Sequence, residues 1–230
     1  MDEFFRESLY AGVTLSLGAY GLGFALKRRF KFALFNPLLV SIALTIAVLV
    51  VSGVSYEAYN SSARYLSWLL TPATVSLALP LYEKREALVK NARAVIVSLV
   101  IGALTSLTTV FALAAVMRID HTMYVTLLPK SITTAIGMGV AEELGGHVNI
   151  AVAVIVLTGV LGNVFGVGIC RLLRITHPVA KGLAFGASSH AIGTTKAMEI
   201  GEVEGAMSGL AIAVSGVITV VIAPLFCKFL

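Results

Sequence analysis

The chain has 230 residues, of which 58% are hydrophobic and 13% charged, with a formal net charge of +5 and a mean hydropathy of +0.94. A soluble domain carries about 25% charged residues, so this composition excludes an ordinary soluble fold and points to a bilayer. No loop is basic or aromatic enough for nucleic acid; the Lys and Arg residues sit at segment ends, where they orient a chain in a membrane.

The chain opens on MDEFFRES, which is acidic and lacks the basic stretch of a cleaved signal peptide. The first apolar segment, 9–26, is therefore expected to insert directly; it ends in Lys27, Arg28, Arg29 and Lys31. Segment 36–53 follows. Segment 65–82 holds Pro72 and Pro80, each of which removes a helix donor and breaks the ladder. Lys84, Arg85, Lys90 and Arg93, set against Glu83 and Glu86, lead into segment 94–117. Segment 122–141 is interrupted at Pro129 by the polar run KSITT. Segment 148–172 ends at a basic loop with Arg171, Arg174 and Lys181, whereas the loops near 142–147 and 199–204 are acidic. Segment 182–198 is loosened at its start by Gly182 and Gly186, and 205–227 closes the chain. A spanning helix needs about 20 apolar residues. The fold class is thus an all-α polytopic membrane protein, with seven or eight hydrophobic segments, some discontinuous or re-entrant, in one integral membrane domain over 1–230.

Two stretches repeat each other. Residues 135–145 read AIGMGVAEELG and 191–201 read AIGTTKAMEIG, each after a polar lead-in and before a long apolar segment. A fixed offset also places Gly102 on Gly159 and Gly159 on Gly216, Cys170 on Cys227, Arg171 on Lys228, and Pro72 on Pro129. The repeat-like units run over about 65–117, 122–172 and 182–230. Paired polar interruptions in a hydrophobic chain mark a midplane binding site in secondary transporters. Such breaks expose half-helix N-termini, whose free N–H groups attract anions.

The substrate-binding candidates are the polar residues of these breaks. Lys130 and Lys196 can pair with a carboxylate; alternatively they reach an interface, or pair with Glu143 and Glu199. Ser131, Thr133, Thr134, Ser188, Ser189, Thr194 and Thr195 offer hydroxyls, which otherwise cap and bridge helices. His190, before the second AIG, is a candidate proton carrier, as are the repeat-related Glu143 and Glu199. Asn163 either lines a path or bridges helices, the second reading being preferred. The G-x-x-x-G pairs Gly162/Gly166 and Gly205/Gly209 permit close helix contact. Cys170 and Cys227 read as small apolar residues; no Cys/His spacing suggests a disulfide or a metal. No nucleophile elbow or phosphate loop is present, so neither an enzyme nor a cofactor is expected.

NPLL at 36–39, TPATVSLALPLY at 71–82, LPKSITTAIG at 128–137 and SSHAIGTTKAMEIGEVEGAMSGL at 188–210 together resemble the LrgB/CidB family across essentially the whole chain. Bacterial members of that family are described as antiholin-like or holin-like regulators of murein hydrolase activity and lysis. They are usually encoded beside a small LrgA/CidA-type membrane protein. Plant relatives fuse both parts into a plastid glycolate/glycerate translocator, and some bacterial relatives are linked to pyruvate uptake. The resemblance implies a multi-pass protein of the bacterial cytoplasmic membrane, with an LrgA/CidA-type partner and homo-oligomers as further expected associations. Two functions follow as expectations. The first is carriage of small monocarboxylates of the glycolate, glycerate, lactate or pyruvate kind, coupled to protons; the alternative is regulation of lysis.

Charge placement sets a topology. Full crossing by every segment would put the basic 171–181 stretch outside; a re-entrant 122–141 segment instead puts it inside, with the first residues outside and the C-terminal end inside. Lys84, Arg174 and Lys228 are then cytoplasmic and Glu202 external. A membrane-impermeant thiol reagent applied from outside should label Glu202→Cys and spare Arg174→Cys; the reverse pattern overturns the topology.

Overall fold

The computed structural model describes residues 1–30, 35–69 and 92–230, together with positions 72, 75, 82, 86 and 89. Lys31, Pro80, Glu83, Lys84, Arg85 and Lys90 lie outside the described residues, and with them most of the expected 65–82 segment. All regular structure among the described residues is helical. The chain divides into two units, Met1–Ser76 and Leu77–Leu230.

The first unit holds α1 (Asp2–Glu7), α2 (Ala11–Phe30), α3 (Pro37–Ser52) and α4 (Tyr56–Ala63), followed by a 3-10 turn over Arg64–Leu69. Its helix ends are set by short polar residues. Asn36 Oδ1 accepts from the N–H groups of Leu38 at 2.9 Å and Leu39 at 3.4 Å, and Pro37 supplies the preset φ of a first helical residue. Gly53 ends α3 at φ 66°. Asp2 Oδ1 accepts from both the backbone N and the Oγ of Ser55 at 2.7 Å, tying α1 to the start of α4. The bond from Arg6 at 2.8 Å, with those from Ser55, holds the Asp2 carboxyl well below the usual carboxylate range. A side chain at position 12 would strike the backbone of α4, so Gly12 lets α2 approach until its N–H donates to Ser62 Oγ at 2.8 Å.

The second unit holds α5 (Ala92–Met117), α6 (His121–Leu127), α7 (Thr134–Glu143), α8 (Val148–Leu172), α9 (Pro178–Ile200) and α10 (Glu202–Phe226), which ends in a 3-10 turn at Cys227–Phe229. Three of these are long and apolar enough to cross a membrane: α5 with 26 residues, α8 with 25, and α10 with its turn, 28. At about 1.5 Å per residue each exceeds the ~30 Å of a hydrocarbon core. Only 28% of the apolar window is buried in α5 and in α8, so most of their Ile, Leu, Val and Phe side chains face outward, as a lipid-solvated helix requires. α3, with 16 residues, is apolar but shorter.

The expected 122–141 segment is not one helix. It forms α6, with 7 residues, and α7, with 10, joined by a turn around Pro129–Ser131. Neither piece reaches across ~30 Å. The 182–198 segment is also interrupted: α9 breaks at His190, whose backbone lies at φ 42° and ψ −140°. The acidic stretch at 199–204, read above as a loop, is mostly helix. Gly201 alone separates α9 from α10, and Glu202 and Glu204 fall in the first turn of α10, where a helix N-terminus favours negative charge.

α10 is the most buried of the long helices and organises the unit. It packs along α9 through Gly182 and Gly186, where a Cβ would overlap the backbone of Glu204 and Ser208. One apolar cluster joins Leu107, Val110, Tyr124, Leu128, Ile132 and Ala223, and Tyr124 Oη donates to the Phe226 carbonyl at 2.8 Å. A second joins Val95, Leu99, Leu183, Met207 and Leu210. Overpacking a close contact costs about 1–3 kcal/mol. Gly186→Val should therefore lower the thermal midpoint of purified protein clearly, whereas Gly168→Val, at a position open to the surroundings, should leave it nearly unchanged.

Candidate functional site

A cavity of about 1000 Å³ lies between α5, the turn before α7, α8 and the first half of α9. One end is framed by Ala94, Leu173, Ile175 and His177. Ser106, Lys130, Ser131, Ser188 and Ser189 lie farther along the same helices and form its polar end. Elsewhere the lining is mainly apolar, as in most small-molecule sites. Among the described lining residues, Lys130 is the single Lys or Arg, and no Asp or Glu is present.

Each part of the polar end has a local cause. Pro129 cannot continue a helical ladder, and the chain turns there with only short local bonds, Lys130 N to the Leu127 carbonyl at 3.2 Å and Ile132 N to the Pro129 carbonyl at 3.3 Å. That turn brings the half-buried Lys130 and the buried Ser131 to the cavity. Lys130 Nζ donates to Ser131 Oγ at 3.0 Å, and Ser131 Oγ lies 3.0 Å from Ser106 Oγ. On the other side Ser188 Oγ donates to the Ala184 carbonyl at 2.7 Å and lies 2.9 Å from Ser189 Oγ. Ser189 can press against α8 because position 162 is glycine; a Cβ there would overlap its side chain. Gly166 likewise accommodates the ring of Phe185. The G-x-x-x-G pair of α8 is therefore the seat of the first half of α9.

The break at His190 is held from α8. The ring Nε2 lies 2.9 Å from the Ile155 carbonyl, and since a carbonyl only accepts, Nε2 carries the proton in this bond. Gly159 makes room for the ring. Asn163 Nδ2 donates to the Ile192 carbonyl at 2.8 Å and to Thr195 Oγ1 at 3.0 Å, so Asn163 bridges helices. Thr194 Oγ1 donates to the His190 carbonyl at 2.9 Å and lies 2.7 Å from Ser208 Oγ of α10.

The residues expected at the site thus separate into two groups. Lys130, Ser131, Ser188 and Ser189 come together in one cavity. His190, Thr194, Thr195 and Lys196 do not line it; they belong to the packing of the second break, and Lys196 Nζ donates to Glu199 at 2.7 Å. Thr133 and Thr134 open α7 outside the lining, and the Thr133 side chain makes no cap bond. Glu143 and Glu199 are exposed at the ends of α7 and α9. Pro129 is buried within its turn, while Pro72 is helical and exposed in the first unit.

One expectation needs correction. The half-helix N–H groups expected to face a ligand begin at Thr134 and Ala191, and neither residue lines the cavity. Ser188 and Ser189 precede the break, so the first half of α9 brings its C-terminal end instead. The polar end is built from hydroxyls and one ammonium. Sequence reasoning also missed α5, whose Ser98, Thr105, Ser106 and Thr109 line one wall. The available signal was four hydroxyls at helical spacing in an otherwise apolar segment.

Long apolar helices, two broken polar segments and a cavity with a polar end define a helical membrane protein. The chain belongs to the LrgB-like family, whose match spans residues 16–229. It is similar to the antiholin-like protein LrgB of Bacillus subtilis (strain 168), with 36% identity over 224 residues, covering 97% of each chain. It is similar also to the antiholin-like protein LrgB of Bacillus cereus (strain B4264), with 37% identity over 222 residues, covering 96% of each. The protein of that name from Bacillus anthracis (strain CDC 684 / NRRL 3495) shows the same identity and coverage. No solved structure matches the chain.

The His190 backbone occupies a region that side chains disfavour and glycine tolerates. Alanine there loses the ring contacts and keeps the strain; glycine loses the contacts and relieves it. His190→Gly should unfold at a higher temperature than His190→Ala, and both below the unaltered protein. Equal midpoints for the two variants would mean that the break carries no strain.

Proposed function

We propose that this chain is an antiholin-like membrane protein that restrains murein hydrolase activity and lysis together with a small LrgA/CidA-type membrane partner. The observation that supports the reading is the name carried by relatives at 36–37% identity over nearly the whole chain. Assembly with such a partner in the bacterial cytoplasmic membrane, and assembly with further copies of the chain, belong to the same proposal.

A second reading rests on the cavity: carriage of a small monocarboxylate. Lys130 is its one described Lys or Arg, with Ser131, Ser188 and Ser189 at the same end. An anion leaving water loses its hydration, and a cation with fixed hydroxyl donors replaces those contacts. The hydroxyls suit a carboxylate bearing a neighbouring hydroxyl or keto oxygen, as in glycolate, glycerate, lactate or pyruvate. Arg93, Arg171 and Arg174 flank the cavity's other end in sequence, and a basic mouth draws anions by its field. Positive residues favour the cytoplasm, so this cavity faces inward in the proposed topology. Proton coupling through His190, and contributions of Thr133, Thr134, Thr194, Thr195 and Lys196 in a rearranged state, extend this reading. The two readings are compatible: movement of a carboxylate across the membrane can bear on lysis.

The test is uptake of labelled pyruvate, lactate, glycolate and glycerate into proteoliposomes holding the chain alone or with an LrgA-type partner, with and without a proton gradient. Lys130→Ala should reduce uptake more than about tenfold, the size of one lost charge-assisted bond at ~1.4 kcal/mol or more, with assembly unchanged. If the unaltered pair carries no carboxylate, the second reading fails. The first is tested separately, by autolysis and hydrolase activity in cells lacking the chain and in cells with it restored.

A further inference from the structure

We propose that a chamber of about 10 Å³ beside the polar end of the cavity is a binding site for one water molecule, which closes a hydrogen-bonded chain from Lys130 to Ser215. The chamber lies between α5, the turn before α7, and α10. Its polar lining is Ser106, Ser131, Ser215 and Thr219. Ser215 is 3% exposed, and its hydroxyl is the one fully buried side-chain polar atom among the described residues without a hydrogen-bond partner. Burying a hydroxyl unpaired is costly, and native proteins meet that cost with protein or water partners.

The direction of the chain follows from donor capacity. An ammonium only donates, so Ser131 Oγ accepts from Lys130 Nζ and has its own proton left for Ser106 Oγ, 3.0 Å away. Ser98, Thr105 and Thr109 give their protons to carbonyls of their own helix, whereas Ser106 bonds to Ser131. The Ser106 proton is therefore available to the chamber. A water there accepts it and donates onward to Ser215. The volume matches one water and no larger ligand. A metal cation fits poorly: no carboxylate lines the chamber, and the Lys130 charge lies one hydroxyl from it. The bridge fixes Ser131, the acceptor of Lys130, to α5 and α10 together. It holds whether or not the cavity carries a carboxylate, so its failure leaves both functional readings standing.

The experiment is thermal unfolding of the purified full chain carrying Ser106→Ala, Ser215→Ala, both together, or Ser215→Thr. With a bridging water, each alanine variant lowers the midpoint, and the double variant lowers it by less than the two shifts combined. Ser215→Thr also lowers it, because the added methyl displaces the water. A dry chamber gives the opposite signs. Ser215→Ala then removes an orphaned hydroxyl and raises the midpoint, Ser215→Thr fills a void and raises it, and the alanine shifts add. Either a raised midpoint for Ser215→Thr or additive alanine shifts would overturn the proposal.

Discussion

Irregular backbone within a membrane chain has no water to turn to, so every interruption must be satisfied by protein or by a lined cavity. The second unit follows from how its two interruptions meet that demand. The break in α9 is held almost wholly by α8. His190 donates to the Ile155 carbonyl, Asn163 donates to the Ile192 carbonyl, and Gly159 and Gly162 bring α8 close enough for both. The turn before α7 is held differently. Its own local bonds are few, Ser106 of α5 meets Ser131, and Thr126 Oγ1 accepts from His147 N at 2.8 Å to fasten the far end of α7. The break at His190 is thus bonded mainly to α8, while the turn before α7 opens onto the cavity.

The repeat in the sequence relates the helices that meet the two breaks. Gly159 of α8 and Gly216 of α10 are repeat-related, and each faces the opposite unit's interruption: Gly159 faces His190, and Gly216 faces Ile136, just past the first break. Each long helix supplies the small-residue seat for the other half's polar segment. Ser131 and Ala187 are also related by the repeat, and both line the same small chamber.

Much of this was legible in the sequence because its causes are local. Pro129 and the KSITT run forecast an interrupted segment, and two short helices with a turn between them are what form. The polar lead-in before the second AIG, loosened by Gly182 and Gly186, forecast a second interruption, and it falls at His190. What stayed hidden depends on the direction of side chains after the break. Thr194, Thr195 and Lys196 look as polar as Ser188 and Ser189 in a row of letters. A single reversal at φ 42° turns the first three toward α10, α8 and Glu199 and leaves the serines on the cavity. The hydroxyl stripe of α5 was overlooked because no proline, glycine cluster or charge marks it.

The repeat also accounts for the single cation. Counting back from the two AIG motifs, the counterpart of Lys130 is Gly186, and that of Lys196 is Val140. Gly186 is where α9 lies against the backbone of Ser208, leaving no space for a lysine. Val140 is packed in the apolar cluster around Tyr124 and Leu128. The sequence motif is doubled but its charges are not. A lysine at 186 would cost the close packing of α9 on α10. Keeping glycine at 186 preserves that packing and leaves Lys130 facing serine hydroxyls. On the carboxylate reading proposed above, one undivided positive charge in a mainly apolar cavity would favour a monoanion over a dianion.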